Sequence, residues 1–179
     1  GALTPEQLER AIAICVNHPR WRDIEISSSE LRRAASDLGS PTLASFIESI
    51  YAILLARSGK SRWGDKTPGF VLEIDRLQRL FPGAHFIHII RDARAVSLSL
   101  FEKRWFGPHL RNAAGRWAQC VQTGMSSGRG LAAGHYLEVR FEDLVRDAEA
   151  ELRRACDFLG MQYSSAMLDY HERAAMNIA

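Results

Sequence analysis

Lysine is almost absent from this chain: it occurs only at Lys60, Lys66 and Lys103, and arginine supplies the rest of the 23 basic residues. Heavy use of arginine and alanine is consistent with GC-rich coding, and against that background each lysine stands out. Cysteine is scarce as well. Cys15, Cys120 and Cys156 are widely and irregularly spaced, which gives neither a disulfide framework nor a zinc-ligand pattern, and an odd count fits reduced thiols in a cytoplasmic enzyme without a metal. No apolar run approaches the roughly 20 residues of a membrane-spanning helix, and the first residues show no basic region leading into an apolar signal core. A soluble chain is expected. The net charge of +2 at pH 7 lacks the footprint of a nucleic-acid binder, so the Arg32-Arg33 helix is a poor candidate for DNA recognition. A local cluster of arginines remains free to hold a small anion.

The 179 residues are 46% hydrophobic and 25% charged, a composition that suits one globular domain with a substantial core. Residues 1–58 read as a helical portion. Thr4-Pro5-Glu6-Gln7 is a cap followed by a first-turn proline, with Leu8, Ile12 and Val16 at four-residue intervals. Ser28 or Ser29 is placed to cap a second helix through Leu38, stopped by Gly39. Ser40-Pro41 opens a third helix, with Leu43, Phe46, Ile47, Ile50 and Leu54 on one stripe.

From residue 60 to 160 the pattern is α/β. Thr67-Pro68 begins an amphipathic helix carrying Val71, Ile74, Leu77 and Leu80, and Pro82-Gly83 ends it. Ala84 to Ile90 is short and rich in β-branched residues, as a strand covered on both faces would be. His85 and His88 read as satisfied strand histidines. Asp92 is placed to cap the helix from Ala93. A further helix runs from about Leu110 to Val121 and is broken by "SSGRG". "HYLEVRF" (135–141) alternates as a second strand, "EDLVRDAEAELRRACDFLGM" reads as a turn and a helix ending at Gly160, and a last helix covers about Ser164 to Ala174.

A strand that ends in Arg91 and turns at once into a helix is how open α/β sheets build ligand sites, because ligands collect at the carboxyl ends of strands near helix N-termini. Ala95 and Ser99 follow at four-residue intervals on the same side of that helix. The small Ala95 leaves a gap between a guanidinium fork and a hydroxyl, a set of donors suited to a tetrahedral anion. Spacing alone also fits a plainer reading, in which Arg91 pairs with Asp92 or another carboxylate and Ser99 bonds its own helix backbone.

"GDKTP", "FPGAHFIHIIRDARAVSLSL" and "YLEVRFEDLVRDAEAELRRACDFLG" resemble, in that order, three signature regions of the sulfotransferases that use 3'-phosphoadenosine-5'-phosphosulfate (PAPS). The likeness spans roughly residues 62 to 160. It implies a P-loop NTPase-like three-layer fold, with a small parallel sheet, helices on both faces and a helix-rich N-terminal part, all in a single domain over 1–179. It also implies that Arg91 and Ser99 grip the 3'-phosphate and that Phe141 lies against the adenine, at a position where the family usually has Tyr. Lys66 is similar to the family's lysine near the sulfuryl group, where an ammonium offsets charge on the bridging oxygen; its plainer reading is a solvated loop lysine beside Asp65. Glu142 and Asp143 read as caps of the following helix. The aromatics Phe101, Trp105, Phe106 and His109 after the Ser99 helix suit an acceptor pocket or simple packing.

The family's Gly/Ser/Thr-rich 5'-phosphosulfate loop has no counterpart among these residues, Pro68 stands where cytosolic members place a histidine base, and the family's Gly-rich 3'-phosphate segment is also missing. The pattern is closer to the bacterial and Golgi-type branches, and an internal portion of a longer sulfotransferase is expected. The activity implied is transfer of a sulfuryl group from PAPS to a hydroxyl or amine of a small-molecule, carbohydrate or lipid acceptor, leaving 3',5'-ADP (PAP), with no metal, no nucleic acid and no membrane span. A homodimer is compatible with it. Two other readings stay open: a non-catalytic nucleotide-binding or interaction module, and a P-loop nucleotide kinase relative, which would need a Walker lysine and a magnesium-holding acid at a strand end.

Overall fold

A computed structural model describes residues 1–169. The chain divides into two units, Gly1–Thr67 and a second from Pro68 onward.

Caps and apolar spacing dictate the first unit. α1 (Pro5–Val16) begins with a capping box in which Thr4 Oγ1 accepts from the Gln7 amide at 3.2 Å and Gln7 Oε1 accepts from the Thr4 amide at 2.9 Å. The cap of α2 (Ser28–Asp37) is Ser27, one residue before the expected serines; its Oγ accepts from the Glu30 amide at 3.1 Å. α3 (Leu43–Ser58) is capped by Thr42 in a reciprocal box with Ser45, because the buried Pro41 is held outside the helix with its carbonyl accepting from the Leu3 amide at 2.7 Å. Gly59 ends α3 at φ 63°, a left-handed conformation that a Cβ opposes. A 3-10 turn at Trp21–Ile24, which no periodicity announces, is fixed by Trp21 Nε1–H donating to the Ile26 carbonyl at 2.8 Å.

Ile12, Ile26, Leu31, Ala35 and Phe46 form the buried core of this unit. Phe46, with 2% of its surface exposed, contributes about 1.5–3 kcal/mol of burial free energy.

In the second unit, the expected Thr67-Pro68 helix is split into a 3-10 turn at Pro68–Leu72 and the short α4 (Ile74–Leu80). β1 (Phe86–Ile90) pairs in parallel with β2 (Tyr136–Arg140), with Phe86 opposite Tyr136 and Ile90 opposite Arg140. Between them run α5 (Ala93–Glu102) and α6 (Leu110–Gly130), the crossover that parallel strands require. After β2 come α7 (Phe141–Arg146) and α8 (Ala148–Leu159), which Gly160 closes at φ 61°. Of the last expected helix, the described residues contain a 3-10 turn at Ser165–Met167; the remainder lies outside them.

α6 continues through "SSGRG" instead of breaking there. A Cβ on Gly124 would stand 2.6 Å from the His88 ring and one on Gly128 2.5 Å from the Tyr136 ring, so these glycines are where the helix lies against the strands. Tertiary packing therefore overrides a weak helix propensity. The opposite face of β1 departs from the expected double coverage: Ile87 and Ile89 are 38% and 53% exposed, whereas Val139 on β2 is buried. His88 is satisfied within β1 as expected, its Nδ1 sharing a hydrogen bond with the Tyr136 hydroxyl at 2.6 Å, whereas His85 lies just before the strand, exposed, with its ring stacked on His135 at 5.0 Å. Among the described residues, no helix is long and apolar enough to cross a membrane.

Candidate functional site

The end of β1 carries the strongest constellation. Ile90 is buried and Arg91 is the first exposed residue after it, so the strand delivers the guanidinium to the sheet edge. Asp92 caps α5 as expected, its Oδ1 accepting from the amides of Arg94 at 2.9 Å and Ala95 at 3.4 Å. The same carboxylate holds the Arg94 side chain at 3.1 Å, and that hydrogen bond is the leading reason its pKa lies below the ordinary carboxylate value.

Asp92 is thus committed elsewhere. Among the described residues Arg91 has no carboxylate partner, and its guanidinium carbon lies 4.8 Å from the centre of the Phe141 ring, at cation–π distance. Because Asp92 occupies two amides at the start of α5, binding of an anion there falls to side chains more than to open backbone N–H groups.

Ser99 is half-buried on α5, seven residues beyond Asp92, or roughly 10 Å of axial rise. Unlike Ser36 and Ser58, whose hydroxyls donate back to their own helix, the Ser99 hydroxyl has no hydrogen bond among the described residues. The structure therefore brings Arg91 and Phe141 together and places Ser99 two turns along the helix that follows Arg91.

Lys66 belongs to the first unit, in the exposed loop after α3. Its neighbour Asp65 is engaged on both oxygens, accepting from the Tyr51 hydroxyl and from the Thr67 hydroxyl, each at 2.7 Å. The Tyr51 ring stacks on Trp63 with centroids 3.9 Å apart and planes at 7°. Burial, then the hydrogen bond to Asp65, pushes the Tyr51 phenol above its ordinary pKa, so it stays a donor. Lys66 has no carboxylate partner among the described residues.

Two contacts at the Arg91 turn had no signal in the sequence. Trp117 Nε1–H, from α6, donates to the Arg91 carbonyl at 3.0 Å. Glu142 does not cap α7, whose start has no side-chain cap; its Oε1 instead accepts from the Asp92 amide at 2.8 Å, and this bond leads the causes that hold its pKa below the ordinary value. Asp143 pairs with Arg146 at 2.8 Å. In the stretch after α5, Trp105 is 66% exposed beneath Lys103, and Phe106 lies beneath the Arg116 guanidinium at 5.7 Å. Among the described residues no group of three or more His, Cys, Asp or Glu is gathered to hold a metal.

A profile of the sulfotransferase family matches residues 6–165. This chain belongs to the sulfotransferase family. It is 30% identical over 159 residues to a putative protein-tyrosine sulfotransferase of Caenorhabditis briggsae, covering 85% of this chain and 54% of that protein. With protein-tyrosine sulfotransferase A of Caenorhabditis elegans it shares 23% identity over 168 residues, covering 89% of this chain and 43% of the relative. The chain thus spans about half the length of the curated relatives it matches. Among solved structures, the sulfotransferase domain of the olefin synthase of Synechococcus PCC 7002 superposes with a TM-score of 0.59 at 30% identity, covering 83% of this sulfotransferase chain and 60% of that one. The sulfotransferase domain from the curacin biosynthetic pathway gives 0.60 at 21% identity, over 89% and 56% of the two chains, a likeness of fold. The mixed α/β fold with a small parallel sheet is shared with these domains, whose architecture is P-loop-like.

Proposed function

We propose that this chain provides the 3'-phosphoadenosine part of the donor site in an enzyme that transfers a sulfuryl group from PAPS to an acceptor hydroxyl. The supporting observation is Arg91 at the end of β1, with no carboxylate partner among the described residues and poised over Phe141. A guanidinium without an internal counter-ion is suited to hold a phosphate by two parallel hydrogen bonds. In this reading Arg91 and the Ser99 hydroxyl bind the 3'-phosphate, and Phe141 holds adenine on the ring face that Arg91 does not cover.

The reaction is an in-line displacement. The acceptor oxygen forms a bond to sulfur as the bond from sulfur to the bridging oxygen of the 5'-phosphate breaks; PAP leaves with the electron pair, and the acceptor proton passes to a base. Lys66 is assigned to the bridging oxygen, where its ammonium offsets the developing charge. The relatives' names point to a tyrosine phenol for those proteins, and we extend to this chain only the coarser class, a hydroxyl on a small molecule, carbohydrate, lipid or peptide.

The test is transfer of radiolabelled sulfate from PAPS by the full-length protein, with a tyrosine peptide and a long-chain alcohol as separate acceptors. Lys66→Ala is expected to lower kcat by about 10²–10³, the loss usual for one charge-stabilising group, while PAP affinity changes less than about threefold. Undiminished kcat removes Lys66 from the mechanism. Absence of transfer to both acceptors, together with absence of PAP binding, overturns the functional reading.

A further inference from the structure

We propose that Trp117 and Glu142 are positioning residues for the nucleotide site, gripping one peptide group from two sides so that Arg91 is aimed at the 3'-phosphate. The proposal rests on the role given to Arg91 above.

The carbonyl of Arg91 and the N–H of Asp92 belong to the same peptide plane. Trp117 on α6 donates to that carbonyl at 3.0 Å, and Glu142 on α7 accepts from that N–H at 2.8 Å. A peptide plane is rigid, so bonds to both of its polar ends fix its rotation and with it ψ of Arg91 and φ of Asp92. Of the two, ψ of Arg91 sets how its Cα–Cβ bond is turned relative to the held plane, and β1 holds the chain on the other side of that Cα, so the direction of the side chain is constrained from both sides. At its far end the guanidinium meets Phe141, the residue before Glu142. Backbone and side chain of Arg91 are therefore held by consecutive residues of one helix, with Trp117 closing the grip from another.

Two features separate this arrangement from ordinary hydrogen-bond satisfaction. Arg91 is exposed, and water would serve its carbonyl without a tryptophan brought from 26 residues away. The Glu142 carboxylate reaches back across 50 residues of chain to the Asp92 amide instead of capping its own helix, and that bond is the foremost of the contacts that favour its charged form. An acceptor aimed at the Asp92 amide is what the residue contributes.

The experiment measures dissociation constants of PAP and 5'-AMP by calorimetry on the full chain, for wild type, Arg91→Ala, Trp117→Phe, Glu142→Met and Glu142→Gln. Trp117→Phe keeps the ring bulk and removes the N–H; Glu142→Gln keeps an oxygen acceptor. Since hydrogen bonds from a well-aimed guanidinium contribute roughly 10- to 100-fold in affinity and a misaimed one forfeits part of that, Trp117→Phe and Glu142→Met are expected to reduce the preference for PAP over AMP by about three- to tenfold with AMP affinity held within about twofold. Glu142→Gln is expected to restore the preference to within about twofold of wild type, because it still accepts from the Asp92 amide. A preference that falls in Arg91→Ala but is untouched in Trp117→Phe and Glu142→Met overturns this proposal alone, as does equal weakening of both ligands. Absence of any preference in the wild type overturns the role of Arg91 itself, and this proposal with it.

Discussion

Substituting Gly128 by alanine tests how α6 is seated on the sheet. The new methyl carbon would lie 2.5 Å from three atoms of the Tyr136 ring, about 1 Å inside the ~3.5–4.0 Å of an ordinary carbon contact. The ring cannot simply swing aside, because its hydroxyl is bonded to His88 at 2.6 Å and its backbone is in register with Phe86 on β1. Overpacking of this kind costs about 1–3 kcal/mol, and replacing a helical glycine by alanine returns about 1 kcal/mol of propensity, so the net loss is about 0–2 kcal/mol. Gly115 on the same helix has nothing within 4 Å of the added carbon. Its alanine variant keeps only the propensity gain, about 0.5–1 kcal/mol of stabilisation. The propensity gain is common to both, so the variants differ by the overpacking cost, and Gly128→Ala should melt below Gly115→Ala by at least about 4 °C for a unit of roughly a hundred residues. Thermal melts followed by circular dichroism read this directly, and hydrogen exchange of the α6 amides assigns the change to this unit. A Gly128→Ala protein melting at or above Gly115→Ala would refute the packing.

Thr42→Ala should destabilise the first unit by about 1 kcal/mol through loss of the α3 capping box, while Thr42→Ser, which keeps an acceptor, should cost only a few tenths; urea midpoints compare them. His88 is held below its ordinary pKa of 6.5, burial outweighing the opposing pull of Glu138. The unfolded imidazole then binds a proton at higher pH than the folded one, so the stability that His88 contributes is complete above about 6.5 and is lost as pH falls from there through the folded pKa. A ring titration of His88 followed by NMR should have its midpoint below 6.5; a midpoint at or above that value contradicts the buried neutral ring.

Local signals in the sequence were reliable where the chemistry is local. Thr4 and Asp92 cap the helices they precede, and Ala84 to Ile90 contains a strand, because a cap or a β-branched run needs only its near neighbours. The continuation of α6 through "SSGRG" was hidden because glycine reads as a breaker unless the rings of His88 and Tyr136 are known to lie against it. Arg91 and Ser99 were legible as a strand end and a helical repeat. That Arg91 would rest on Phe141, and that Asp92 would turn to Arg94 and not to Arg91, depended on pairings across 50 residues or on a choice between neighbours. Trp117 and Glu142 were invisible for a further reason: both act on backbone atoms, which carry no residue identity to search for. The same applies to the loop of Lys66, where Tyr51, Thr67 and Asp65 form a network that the "GDKTP" string does not display.

The most direct measurement of the central claim is equilibrium binding of PAP and 5'-AMP to the wild-type protein and to Arg91→Ala. A hydrogen-bonded charge pair contributes about 1.5–3 kcal/mol, so the wild type should prefer PAP by roughly 10- to 100-fold or more, and Arg91→Ala should lose about 10-fold or more of that preference, keeping only what the Ser99 hydroxyl supplies. Equal binding of PAP and AMP by the wild type, or a preference undiminished by removal of Arg91, would contradict it.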